Sequence, residues 1–175
     1  IIDSALHVEE DGRTRLEHVL DAYVENTHMP AWEKLRNYPL FKVIDIIKRA
    51  FNADDERMKR ELQNPTIRKI LLVSLKSLRK YGLQTPQTFV APIMVVWNFT
   101  YKCNLKCKHC YEDAGVLRSG PTNELTTEEK YHVLEELDKN HVPTIFFSGG
   151  EPLMAADFWE LAEAAKKRGF YLSIA

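Results

Sequence analysis

Apolar residues recur at helical spacing in the first half of the chain and gather into short unbroken runs in the second, so the two halves predict different architectures. Leu16, Val19, Leu20, Tyr23 and Val24 follow a polar start at three- and four-residue steps. Pro30 and Pro39 punctuate a short segment holding Trp32 and Leu35. Leu40, Val43, Ile44, Ile47 and Phe51 then line one face of a second helix, stopped by Asn52-Ala53-Asp54. A shorter charged helix is expected from Asp55 to Leu62. Asn64-Pro65 is a start signal, a cap followed by proline at the first helical position. The helix it opens carries Ile67, Ile70, Leu71, Ser74, Leu75 and Leu78 on one face and ends at Gly82. Arg68, Lys69, Lys76, Arg79 and Lys80 fall on the other face and read as solvated.

The character changes at Gln84-Thr85-Pro86-Gln87, a turn or linker. Ile93 to Asn98 reads as a buried strand, with Pro92 at its entry. A cysteine-bearing loop follows, then a polar run from Glu112 to Asn123. Thr126-Thr127-Glu128-Glu129 is a capping box, and Tyr131, Val133, Leu134 and Leu137 form the inner face of the helix it starts. Thr144 to Ser148 is a second buried strand ending in Gly149-Gly150-Glu151-Pro152. A helix with Phe158, Leu161, Ala162 and Ala165 inward stops at Gly169, and Tyr171 to Ala175 begins a third strand. Strand, helix, strand, helix, strand implies parallel strands joined by right-handed crossovers. The expected organisation is a helical domain over residues 1–84 and an α/β domain over 85–175.

Composition narrows the function little. The apolar share of 45% is ample for a core, and a formal charge of −1 over 175 residues gives no argument for nucleic acid or an acidic membrane as partner. No apolar stretch is long enough to span a bilayer and no signal-peptide pattern opens the chain. Free thiols and this polarity point to the cytoplasm. The chain opens at Ile1 without a Met and stops within an apolar run, so it reads as a piece of a longer polypeptide. His7, His18 and His28 are scattered, and the helical half shows no catalytic constellation; covering a neighbouring domain, recognising a substrate and mediating oligomerisation all fit it.

The candidate chemistry lies in Cys103-Asn104-Leu105-Lys106-Cys107-Lys108-His109-Cys110, which holds all three cysteines of the chain. An odd number cannot pair off, and thiols this close in sequence seldom bridge one another, so they read as metal ligands. A structural zinc takes four ligands in a closed site. Its fourth would be His109, His132 or His141, none of which belongs to a second pair-like unit. A cubane iron–sulfur cluster normally takes four thiolates. With three, one iron stays open to a substrate or cofactor. Both unusual motifs, the cysteines and Gly149-Gly150-Glu151-Pro152, follow a strand directly, so a parallel sheet brings them to one carboxyl edge, where such folds place their chemistry.

Cys103-x3-Cys107-x2-Cys110 after one strand, with Gly149-Gly150-Glu151-Pro152 at the end of the next, resembles the radical S-adenosylmethionine (radical SAM) superfamily, over roughly Ile93 to Ala175. The resemblance implies a [4Fe-4S] cluster on Cys103, Cys107 and Cys110, with its open iron chelated by the amino and carboxylate groups of SAM. It implies that His109 takes the position of an aromatic residue packing near the adenine. It implies too that Gly149, Gly150, Glu151 and Pro152 receive the methionyl amino group, where the glycines would admit close approach of backbone to ligand. Tyr111 is assigned to packing, and no residue stands out as general acid or base. The implied reaction is one-electron reductive cleavage of SAM to a 5′-deoxyadenosyl radical that abstracts hydrogen from a substrate. An electron donor such as ferredoxin or flavodoxin, and sensitivity to oxygen, come with it. Cys-Asn-Leu-Lys-Cys-Lys-His-Cys-Tyr is most similar to the SPASM-like branch that matures peptides, enzymes or haem-type cofactors, many of whose members carry further clusters in a C-terminal extension.

The implied fold is a helical N-terminal domain followed by the first βαβαβ units of a partial TIM-type barrel. Such a barrel normally has about six strands or more, so the chain is expected to be a truncated part of a longer enzyme. The rival reading is a non-catalytic zinc- or iron–sulfur-binding interaction module. Metal analysis separates the radical SAM reading from a zinc module: iron with inorganic sulfide is expected, whereas one tightly held zinc would sink the radical SAM reading.

Overall fold

The computed structural model describes residues 1–115 and 123–175, and its contacts divide the chain into two compact units, Ile1–Val90 and Ala91–Ala175. Part of the polar run expected from Glu112 to Asn123 therefore lies outside the described residues.

The first unit is helical. A short helix α1 (Ile2–Ala5) leads through an antiparallel bridge between Val8 and Thr14 into α2 (Arg15–Glu25). Thr14 caps α2 reciprocally: its hydroxyl accepts from the Glu17 N–H at 3.4 Å, and the Glu17 carboxylate accepts from the Thr14 N–H at 2.8 Å. Helix α3 runs unbroken from Ala31 to Ala50 with Pro39 inside it, where the sequence predicts a break. Pro39 lies on the exposed side, and the carbonyl its ring leaves without a partner is that of Leu35, itself largely exposed. Water can take that bond, while Asn37, Leu40 and Ile44 keep the inner face packed. Helix α4 (Asp55–Gln63) is capped by Asp54, and α5 (Pro65–Tyr81) by Asn64, whose side chain accepts from the Thr66 N–H at 2.9 Å. Gly82, at φ +71°, ends α5.

The faces of α5 differ from expectation. Lys69, Leu72, Val73 and Ser77 are its buried positions, and Lys69 is only 7% exposed. Ile67, Leu71 and Leu75 are half-buried because they line an apolar cavity of about 600 Å³ shared with Leu16, Leu20 and Ile44. The charged face is only partly solvated. Arg68 pairs with Asp21 of α2, Arg79 pairs with Asp3 at 2.8 Å, and burial pushes the Lys76 ammonium below its ordinary range. Beyond α5, Gln87 donates to the Gly82 carbonyl and the Val90 N–H donates to the Ser77 hydroxyl, which ties the turn at Gln84 to Gln87 to the helix end.

The second unit alternates strands and helices: β1 (Met94–Thr100), α6 (Thr127–Lys139), β2 (Thr144–Gly149), a 3₁₀ turn at Pro152–Met154, α7 (Phe158–Lys167) and β3 (Tyr171–Ile174). The strands form one parallel sheet in the order β1-β2-β3. Thr126 caps α6 through the capping box read from the sequence. Trp97, Phe99, Phe147 and Phe158 pack edge-on or tilted, with ring centroids 5.2–5.9 Å apart. Lys130 of α6 stands 4.1 Å over the Phe99 ring and α7 supplies Phe158, so both helices cover the same face of the sheet. The other face is open at β1, where Met94, Val96 and Asn98 are exposed. The apolar run expected to be buried is thus covered on one side only.

Lys130 is 4% exposed and satisfies its charge on Asp157, with Nζ–Oδ contacts of 2.9 and 3.0 Å; Thr127 donates to the same carboxylate. Burial raises the Asp157 pKa, but its bonds from Lys130 and Thr127 outweigh that and hold it below the usual carboxylate value. A depressed folded-state pKa stabilises fully above the unfolded value and is lost as pH falls through the folded one. Asp157→Ala leaves Lys130 buried without its counter-charge and is expected to destabilise this unit by about 3 kcal/mol at neutral pH. The wild-type advantage should shrink below about pH 4. Urea unfolding at pH 7 and pH 3 measures this, and an equal deficit at both would refute the pair's role.

Candidate functional site

Strand β1 enters the cysteine loop through an irregularity. Asn98 pairs with Ser148 and Thr100 with Gly149, so Phe99 is the extra residue of a bulge that re-aims Thr100. The Thr100 hydroxyl then donates to Glu124 Oε1 at 2.9 Å, and the Tyr101 N–H donates to the same oxygen at 2.7 Å. One carboxylate, reaching back from just ahead of α6, thereby fixes the backbone two residues before Cys103. Glu124 was not singled out by the sequence reading, because nothing in its local pattern distinguishes it from an ordinary charge beside a helix cap.

The loop then crosses the carboxyl edge. Cys103 and Cys110 are half-buried, Cys107 is exposed, and all three are free thiols. The Leu105 N–H donates to Cys103 Sγ at 3.4 Å, and the Cys110 N–H donates to the Cys107 carbonyl at 3.2 Å, closing a tight turn that leaves His109 exposed. Lys102, Lys106 and Lys108 lie between Tyr101 and Tyr111 with no acidic residue among them, a charge balance suited to thiolates. Gly115 adopts φ +61° with its N–H on the Tyr101 carbonyl at 2.7 Å. A Cβ there would sit 2.5 Å from the Cys103 carbonyl oxygen, so the returning chain packs directly on the first thiol's backbone.

Gly149-Gly150-Glu151-Pro152 meets this loop through the main chain. The Gly150 N–H donates to the Thr100 carbonyl at 2.7 Å and the Glu151 N–H to the Lys102 carbonyl at 2.8 Å. Gly149 sits at φ +109°, and a Cβ on it would lie 2.7 Å from the Thr100 oxygen; one on Gly150 would strike the Lys102 carbonyl. The immediate reason for both glycines is the neighbouring backbone. The Glu151 side chain accepts from the Leu153 N–H at 3.2 Å and so caps the 3₁₀ turn, while Pro152 is buried beneath it. The glycine turn is thus bonded, at one sheet edge, to the residues that lead into the cysteine loop. Tyr111, expected to pack, is instead 71% exposed, with its hydroxyl 2.7 Å from the Ser148 hydroxyl.

Among the described residues no three His, Cys, Asp or Glu side chains converge on a point where one metal ion could sit. Three thiols on one lysine-rich loop, one already accepting an N–H, are a donor set that fits a cubane cluster, each thiolate on its own iron.

Residues 97–175 match the family model of the radical SAM superfamily, and this part of the chain is a radical SAM domain. Enzymes of that superfamily use a [4Fe-4S] cluster and S-adenosylmethionine. Over 76 residues the chain is 47% identical to the Fe-coproporphyrin III synthase of Methanosarcina barkeri, covering 43% of this chain and 18% of that protein. It is 40% identical over 75 residues to the mycofactocin maturase MftC of Mycobacterium ulcerans, covering 43% and 20% of the two chains. It is 39% identical over 90 residues to the PqqA peptide cyclase of Bradyrhizobium diazoefficiens, covering 51% and 23%. The chain therefore spans about a fifth of the length of the curated relatives it matches. No solved structure matches it. Among the described residues, no helix is long and apolar enough to cross a membrane.

Glu124 offers a direct check on how the loop is held. Glu124→Ala strips the partner from both the Thr100 hydroxyl and the Tyr101 N–H and is expected to cost about 1–3 kcal/mol; Glu124→Gln, which keeps an acceptor oxygen, should cost less than half as much. Equal urea midpoints for Glu124→Ala and wild type would rule out the clamp.

Proposed function

We propose that Cys103, Cys107 and Cys110 hold a [4Fe-4S] cluster, that SAM binds between it and Gly149-Gly150-Glu151-Pro152, and that the whole protein is a radical SAM enzyme of peptide or cofactor maturation. The observation that carries this reading is the bonding of the glycine turn to the residues on either side of the loop's entry: Gly150 to Thr100 and Glu151 to Lys102. It brings the entry of the cysteine loop and the glycine turn together at one sheet edge.

When bound, the cluster and SAM supply one-electron reductive cleavage and thereby hydrogen-atom abstraction from a substrate. The chain's own residues position that chemistry. The three thiolates anchor, the Leu105 N–H donates to the Cys103 sulfur, and the three loop lysines offset the negative charge gathered there. His109, exposed beside Cys110, would lie against the adenine, and Glu151 and Pro152 fix the turn that would receive the methionyl end. No side chain of the chain is assigned as general acid or base.

The three parallel strands are the first of a partial or complete TIM-type barrel, with residues 85–175 as its beginning and residues 1–84 as a separate helical domain. Relatives named as a synthase, a maturase and a peptide cyclase support a peptide or a cofactor precursor as the substrate class. A ferredoxin or flavodoxin as electron donor and a cytoplasmic location complete the reading.

The test is EPR of the anaerobically reconstituted, reduced whole protein, with and without SAM. A [4Fe-4S] signal that changes on adding SAM and vanishes in Cys103→Ala/Cys107→Ala/Cys110→Ala is expected. A signal indifferent to SAM, or one that survives loss of all three thiols, would falsify the reading.

A further inference from the structure

Two side-chain hydrogen bonds close the cysteine loop on the open face of the sheet. Tyr111 and Ser148 share a hydroxyl–hydroxyl bond of 2.7 Å, and Asn98 Nδ2 donates to Glu112 Oε1 at 2.5 Å. Asn98 and Ser148 are register partners on β1 and β2, so they stand side by side on one face. Tyr111 and Glu112 are the two residues that follow Cys110. Consecutive residues of the returning loop therefore dock on adjacent strand positions.

The placement is reciprocal to the backbone contacts on the other side of the loop. There, the residue before the first thiol (Lys102) is bonded to the third residue of Gly149-Gly150-Glu151-Pro152. Here, the residue after the last thiol is bonded to the residue just ahead of Gly149. The Tyr111 ring is 71% exposed, so burial does little to hold it, and its hydroxyl bond fixes where the loop comes back to the sheet. Ser148, by contrast, is buried, and its hydroxyl offers a fixed anchor.

We propose that Tyr111 and Ser148 are positioning residues: their bond sets the distance of Cys110 from the glycine turn, and with it the geometry in which SAM is held across the two. The Glu112–Asn98 bond steadies the same return one residue further on. This rests on the radical SAM reading above and assigns roles that the thiols and the turn do not supply. Neither hydroxyl touches the reacting atoms; both act through the loop they hold.

The experiment compares wild type with Tyr111→Phe, Ser148→Ala and the double variant, as anaerobically reconstituted whole protein. Iron, sulfide, melting temperature, SAM affinity and the EPR change on SAM addition are read for each. Iron content should stay at the wild-type value, and the melting temperature should fall by no more than a few degrees. SAM affinity should fall about three- to tenfold in each single variant, the size of one net hydrogen bond, with a smaller EPR change. Because the two side chains share one bond, the double variant should lose no more than the worse single. SAM affinity within twofold of wild type in both singles, or losses that simply multiply in the double, would overturn the proposal. A wild-type signal that ignores SAM overturns the underlying reading and this proposal with it; a normal wild-type response with unaffected variants overturns this proposal alone. Should Ser148→Ala unfold, Asn98→Asp gives an independent displacement by facing Glu112 with a second carboxylate. SAM affinity should fall at least threefold there and return in Asn98→Asp/Glu112→Gln, where donor and acceptor exchange sides. A loss that the exchange does not reverse counts against the proposal.

Discussion

Parallel pairing of β1 with β2 carries on past the end of either strand. Thr100 and Lys102 go on accepting hydrogen bonds from Gly150 and Glu151, so the ladder that builds the sheet also joins the cysteine loop to the turn beyond β2. A parallel sheet normally releases its connections at this edge, and each is then free to wander. Here the two connections are stitched to one another by main-chain bonds, whose donors only a proline at Gly150 or Glu151 would delete outright. The bulge at Phe99 is what allows it, because the extra residue turns β1 toward its neighbour just where the loop begins.

The sheet divides its labour between its faces. One is closed by α6 and α7 over an aromatic cluster, with Lys130 set between the Phe99 ring and Asp157 so that a buried charge still has its partner. The other is left with Met94, Val96 and Asn98 exposed and receives the returning loop at its carboxyl end. The rigid face keeps the strands in register, and the open face takes the chain that carries the thiols. Glu124, anchored next to the α6 cap, connects the two, since it holds the loop's entry from the helix side.

Much of this was legible in the sequence, and the exceptions have physical causes. Capping signals at Thr126 and Asn64 located two helices because a cap is a local interaction. The order of strands and helices after residue 93 followed from alternating runs bounded by turn residues. Pro39 misled because a helix tolerates an interior proline where the carbonyl that its ring crowds and orphans can turn to water, and that exposure is a tertiary fact. The face of α5 misled because periodicity shows which residues cluster, whereas burial depends on whether the space they line is filled; Ile67, Leu71 and Leu75 border a cavity. At the site, the three cysteines and the glycine turn were readable as motifs. Glu124, Asn98 and Ser148 were not, for they matter only through partners fourteen to thirty-seven residues away in sequence.

The glycine pair invites a different view of what its motif reports. Gly149 and Gly150 are excluded from bearing side chains by the carbonyls of Thr100 and Lys102, whatever molecule lies beyond them. A descendant of this sequence that lost its thiols, and any chemistry with them, would still need both glycines to keep β1 and β2 in step at their ends. Persistence of the pair in a diverged homologue is therefore a fossil of the edge's architecture, and only the cysteines beside it would tell a living enzyme from a retired one.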